Sequence, residues 1–146
     1  MTAKTVQEET ETVNKQIDFD LLYREAARVM RPRQLSETAE AGDVGAALLS
    51  ADGNIYVGVC IDTACSMGFC AEHAAAAAMV TAGENQVAAM IAVDSAGEII
   101  PPCGRCREFI SQLAENNLDC LVKVGSSTVV SLRELLPYDW RQSLKG

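Results

Sequence analysis

Val44-Gly45-Ala46-Ala47-Leu48-Leu49, Ala51-Asp52-Gly53-Asn54 and Ile55-Tyr56-Val57-Gly58-Val59 decide the fold of this chain. The first and third stretches are apolar runs of strand length. The second is a turn, with Asp, Gly and Asn supplying the local acceptors and positive φ that tight connections need. Two strands joined this closely form an antiparallel hairpin. Upstream, Leu21, Leu22, Ala26, Val29 and Met30 recur at helical spacing, which predicts a helix over 18–31 that Pro32 ends or deflects. Downstream, the pattern predicts a helix over 70–81 closed by Gly83, a buried strand over 87–93 and a helix over 103–115 with Phe109, Ile110 and Leu113 on one face. Strands over 120–124 and 128–130 and a short helix over 132–136 follow. Only Gly125-Ser126-Ser127 joins the last two strands, too little chain for a parallel crossover, so they pair antiparallel. The order helix, two strands, helix, strand, helix, two strands, helix predicts an α/β fold: one mixed five-stranded sheet with helices packed on both faces.

At 146 residues and 49% hydrophobic, the chain is long enough for one domain with a proper core and short for two. Residues 17–146 read as that single domain. Residues 1–16, polar and rich in Thr and Glu, read as a flexible N-terminal tail with no apolar stretch of signal-peptide type. No run is apolar and long enough to span a membrane. Twenty acidic against twelve basic residues give a net charge of −8, which repels a polyphosphate backbone. A nucleic-acid partner is therefore disfavoured, and a small free molecule is favoured. Without export the six cysteines stay reduced in the cytoplasm, where clustered cysteines read as metal ligands rather than disulfides.

Two segments carry the chemistry: Cys70-Ala71-Glu72 and Pro102-Cys103-Gly104-Arg105-Cys106. A catalytic zinc takes three protein ligands and keeps its fourth position for water. Cys70, Cys103 and Cys106 fill three positions and leave Glu72 as a base. A carboxylate beside the first ligand with a later Pro-Cys-x-x-Cys is the pattern of zinc-dependent nucleobase deaminases. Both segments are expected to start helices, whose unpaired N–H groups and partial positive charge lower thiol pKa values. Gly104 is expected to let the backbone turn tightly between two ligands. Three thiolates leave the cluster negative, with Arg105 and Arg107 as candidates to compensate and His73, the single histidine, either touching the site or facing solvent. The other reading is a closed four-cysteine site with Cys65 or Cys60 as fourth ligand, which leaves Glu72 idle. Cys120 reads as a strand-core thiol acting as a small hydrophobe. The run 74–78 of alanines reads as a face for close packing.

These segments resemble the cytidine deaminase family, in particular its small free-nucleoside branch that includes blasticidin S deaminases. The resemblance runs from Val44-Gly45-Ala46-Ala47-Leu48 to Arg133-Glu134-Leu135-Leu136-Pro137. It implies a three-layer α/β/α sandwich, Zn2+ held by Cys70, Cys103 and Cys106, and Glu72 as proton shuttle. It further implies a free nucleoside substrate contacted by Cys60, Asp62 and Ala71, and a homotetramer (or dimer) whose pockets borrow residues from neighbouring chains. The departures concern the substrate. Relatives that bind ribose show Asn-x-Glu where this chain has Cys60-Ile61-Asp62, and a thiol is a poor hydrogen-bond partner. The aromatic residue that often stacks on the base is Gly42 here, and the Arg that commonly follows Cys-Ala-Glu is His73. Cytidine salvage and detoxification of a blasticidin-like compound both fit. Asp62 has a second reading as the cap of a turn near Thr63, Phe69 as core or pocket wall, and Tyr138 and Trp140 as an aromatic tail over the site or a surface anchor.

Overall fold

The computed structural model describes residues 17–145, so the tail expected over 1–16 lies outside the described residues. Helix α1 (Phe19–Val29) starts at Asp18, whose carboxylate accepts the Leu21 N–H at 2.9 Å and replaces a missing intrahelical bond. Strands β1 (Arg33–Ser36), β2 (Ala39–Ser50) and β3 (Ile55–Thr63) follow. Next come a 3-10 turn (Ala64–Ser66), α2 (Ala71–Thr81), β4 (Val87–Asp94), α3 (Gly104–Leu113) and a second 3-10 turn (Glu115–Asp119). The chain ends in β5 (Leu121–Gly125), β6 (Thr128–Ser131) and two 3-10 turns (Arg133–Leu135 and Trp140–Lys145). The first of these replaces the short helix expected over 132–136. Gly83 sits just past α2 at φ +95°, the left-handed position a helix C-terminus favours.

The sheet body runs β3–β2–β4–β5–β6, with β1 on the same edge of β2 as β4, beyond its end. Only β4 and β5 are parallel, joined through α3. Both expected hairpins are present, with Ala46 opposite Gly58 and Val122 opposite Val130. Among the described residues the sheet has six strands, not five. β1 is exposed at all four positions, so it carries no apolar alternation, and its strand character comes from pairing with the start of β2. β2 also starts five residues earlier than its apolar run. Ala39 to Asp43 has poor strand propensity and is extended by its neighbours on both edges.

Side chains alternate between the sheet's faces, as strand geometry requires. Ala47, Ala89, Ile91, Val93 and Leu121 pack with Phe19, Leu22 and Ala26 of α1. Leu48, Met90 and Val122 point the other way, onto Ala75, Ala76 and Met79 of α2 and Ile110 of α3. Each such buried Leu, Ile or Met contributes roughly 1.5–3 kcal/mol. The result is three layers, with α2 and α3 side by side on one face. The alanines of α2 let the helix lie close: a Cβ built on Gly58 of β3 would come 2.4 Å from the Ala75 nitrogen. Buried Asn117 ties the far ends together, accepting the Val87 N–H at 2.8 Å and donating to the Ile110 carbonyl at 2.9 Å. Among the described residues no helix is long and apolar enough to cross a membrane.

Candidate active site

Cys70 is the N-cap of α2 and Cys103 the N-cap of α3, while Cys106 is buried in the first turn of α3. Because both helices start at the same end of one sheet face, residues 33 apart in sequence meet. The Sγ atoms of Cys70 and Cys103 are 3.5 Å apart, and those of Cys103 and Cys106 are 3.6 Å apart. Two sulfurs bound 2.3 Å from one tetrahedral zinc stand about 3.8 Å apart, so both separations come within about 0.3 Å of what this ion requires. All six cysteines are free thiols. Cys70, His73 and Cys106 likewise place ligand atoms within 4.8 Å of one another.

The electrostatics favour a cation at this point. Burial and neighbouring thiols push Cys70 up, and burial with the Glu72 charge pushes Cys106 well above the ordinary thiol range. Burial also acts on Cys103, but the N–H of Cys106, the other two thiols and the N–H of Arg105 hold it below the usual value. The helix-end effect expected at all three thiols thus prevails at one. Converging thiols beside a carboxylate are what a divalent ion relieves, since a coordinating thiol gives up its proton. Glu72 is 4% exposed, and burial raises its carboxyl above the ordinary glutamate range against hydrogen bonds from its own N–H and from Cys106 Sγ at 3.5 Å.

His73 is buried and touches the site. Its Nδ1 lies 3.2 Å from Cys106 Sγ, and its ring stacks on Phe109 with centroids 4.2 Å apart. Burial and the nearby Arg105 charge lower its pKa. Arg105 Nη1 reaches the Gly68 carbonyl at 3.4 Å, and Arg107 Nε donates to the Pro102 carbonyl at 2.8 Å, bracing the loop ahead of Cys103. Gly104 lies in the helix with open space where a Cβ would stand, so the tight-turn freedom expected of it is not used.

A cleft of about 510 Å³ opens over Cys70, Glu72 and Cys103, with Cys60, Asp62, Ala71 and Phe69 in its wall. Cys60 Sγ accepts the Val44 N–H at 3.3 Å. This contact sits in a bulge where β2 slips against β3 between Ala41 and Gly45. Gly42, at φ +90°, packs against the Arg31 carbonyl, and a Cβ there would come within 1.9 Å of it. No aromatic ring can stand at that position on this backbone. Asp62 is exposed and caps no turn among the described residues, and Thr63 Oγ1 is buried without a partner. Asp43 and Ile100 also line the cleft. A glycine inside a strand pattern, which marks a bulge, was the signal that could have found Asp43; nothing in the sequence points to the Phe109 stack. Cys65 is exposed on the 3-10 turn, and Cys120 is a buried core thiol pushed up to about 12 by burial. Trp140 donates to Glu108 on the outside of α3 at 2.6 Å, and Tyr138 is fully exposed; neither lines the cleft.

Comparison with known proteins agrees with this geometry. Residues 20–121 match the sequence model of the cytidine and deoxycytidylate deaminase zinc-binding region. The cytidine deaminase of Sporosarcina psychrophila is 38% identical over 97 residues, 64% of this chain and 71% of that one. That of Halalkalibacterium halodurans is 35% identical over 98 residues, 64% of this chain and 74% of the relative. The crystal structure of cytidine deaminase from Mycobacterium tuberculosis superposes with a TM-score of 0.72 at 27% identity, covering 85% of this chain and 98% of that one. With the donor set, the layered fold and a match over most of its length in agreement, this chain belongs to the cytidine and deoxycytidylate deaminase family and is an enzyme whose cofactor is Zn2+.

Proposed function

We propose that this enzyme hydrolytically deaminates a free cytidine-type aminopyrimidine nucleoside or an analogue, releasing ammonia and giving the uridine-type product. The observation that carries this reading is the placement of buried Glu72 beside the three clustered sulfurs, in the lining of a cleft of about 510 Å³. Cys70, Cys103 and Cys106 would hold the metal. Zinc, when bound, supplies the Lewis acidity that makes water nucleophilic near neutral pH. Glu72 takes a proton from that water and passes it to the ring nitrogen next to the amine-bearing carbon. A carbon–oxygen bond forms there. Glu72 then moves the hydroxyl proton to the amino nitrogen, the carbon–nitrogen bond breaks, and ammonia leaves. Its burial-raised pKa suits a group that must both accept and donate protons.

Ammonia release over a panel of cytidine, deoxycytidine, cytosine, blasticidin S and N4- or 5-substituted cytidines tests the reading, with Glu72→Ala as control. Turnover that survives in Glu72→Ala with unchanged kcat would sink it. A modified nucleoside as the preferred substrate is favoured by two observations: the Cys60 sulfur is engaged by Val44, and position 42 admits no stacking ring. Activity on blasticidin S or a substituted cytidine with none on cytidine decides for it. A non-catalytic zinc protein with Cys65 or Cys60 as fourth ligand is the reading of another class, and silence across the whole panel with full zinc content would favour it. We also assign residues 17–146 to one catalytic unit, a homotetramer or dimer in the cytoplasm. Sedimentation equilibrium tests the assembly.

A further inference from the structure

We propose that His73 is a positioning residue of the metal centre: its Nδ1–H donates to Cys106 Sγ while Phe109 clamps the ring. One sulfur of the three is thereby made a weaker donor than the other two. The inference rests on the reading of Cys70, Cys103 and Cys106 as the ligands. His73 Nδ1 stands 3.2 Å from Cys106 Sγ. That is a hydrogen-bond separation for sulfur. It is shorter than the spacing of about 3.5 Å expected of a nitrogen and a sulfur sharing one tetrahedral zinc. The sulfur–sulfur separations of 3.5 and 3.6 Å also fall short of their own expected spacing of about 3.8 Å, by a similar margin. With three thiolates as the ligands and the fourth position kept for water, the imidazole stands beside the ligands and not among them.

A coordinated thiolate offers only lone pairs, so the proton of this bond sits on Nδ1. The ring has little freedom to leave: its planes with Phe109 are 13° apart, and the residue is 9% exposed. Phe109 follows Cys106 by three positions on α3, as His73 follows Cys70 by three on α2, and positions so spaced share a helix face. The stack and the hydrogen bond thus join the two helices at the level of the metal. Among the described residues, His73 supplies the only side-chain nitrogen bonded to one of these sulfurs. Arg105 and Arg107 spend their contacts on the carbonyls of Gly68, Pro102 and Leu135. A donor on a ligand sulfur draws electron density from it and leaves the metal more electrophilic.

The test uses cobalt-substituted protein. His73→Phe keeps a flat ring against Phe109 and removes the donor. It should still bind one cobalt per chain, with its sulfur-to-cobalt charge-transfer band moved to longer wavelength because the Cys106 sulfur is more electron-rich. On the zinc enzyme kcat should fall about 10–100-fold with KM unchanged. His73→Gln, which restores an N–H donor, should return the band toward the parental position. Should His73→Phe not fold, His73→Met, of similar bulk and without a donor, replaces it. A parental band and parental kcat in the donorless variant would overturn the proposal and leave His73 as packing. Loss of stoichiometric cobalt in His73→Phe with retention in Cys103→Ser would also overturn it, by making His73 a ligand. The spectrum is recorded without substrate. A failed nucleoside panel therefore counts against the deaminase reading and not against this hydrogen bond.

Discussion

Replacing Gly58 by Ala should damage the metal centre without touching it. Gly58 lies in β3 under the first turns of α2, and a Cβ there would stand 2.4 Å from the Ala75 nitrogen and 2.6 Å from the Ala74 Cβ. Ordinary contact begins near 3.4 Å, so α2 must retreat by about 1 Å, the scale on which overpacking costs about 1–3 kcal/mol. For a chain of this size that corresponds to a fall in Tm of roughly 2–12 °C. The same retreat moves Cys70 and Glu72, which sit at the start of α2, away from Cys103 and Cys106 on α3. A misplacement of about 1 Å can cost on the order of 10²-fold in rate. Differential scanning calorimetry, zinc competition against a chromophoric chelator and ammonia release read the three effects. Gly104→Ala is the control, since its Cβ meets open space inside a helix. It should be neutral or stabilising by up to about 1 kcal/mol. Parental Tm and zinc affinity in Gly58→Ala would refute the close seating of α2 on β3.

Glu72→Gln should lower kcat by about 10²–10⁴-fold, because one carboxyl serves both proton transfers, while metal analysis still finds one zinc per chain. Cys103→Ser should lose zinc and activity together, whereas Cys65→Ser should keep both; zinc lost from Cys65→Ser would point to the closed four-cysteine site. The C-terminal turn should loosen only in acid. Hydrogen bonds from Trp140 and Gln112 hold the Glu108 carboxylate below its ordinary range, so their stabilisation is complete above about pH 4.3 and disappears as pH falls through the lower folded value. Trp140 is the single tryptophan, and its fluorescence should stay flat from neutral pH down to that point; a transition near pH 6 would contradict the contact.

Helices α1 and α3 are legible in the sequence because their apolar residues recur every three or four positions, whereas α2 is legible from its run of alanines and from Gly83 just past its end. The β2–β3 and β5–β6 hairpins are legible because their turns are short and chemically specific. β1 is not, since four exposed residues carry no burial pattern and pair only because β2 offers them an edge. The bulge at Gly42 is half legible: glycine marks an irregularity, but the Arg31 carbonyl that excludes a side chain there comes from a different segment. Trp140 is equally compatible, in sequence, with a lid or an anchor, and its contact with Glu108 places it on the outside of α3.

The amino-acid sequence specifies the donor types, three thiols in two motifs and a carboxylate two positions from the first, and the alternation of helices and strands that makes a mixed sheet. These are local properties, set by residue chemistry and by periodicity over a few positions. Long-range packing brings Cys70 and Cys103 to 3.5 Å, buries Glu72, and turns His73 toward Cys106 and not solvent. Each of those facts depends on α2 and α3 lying together on one face of the sheet. That arrangement comes from apolar burial between segments some thirty residues apart, which no local pattern encodes.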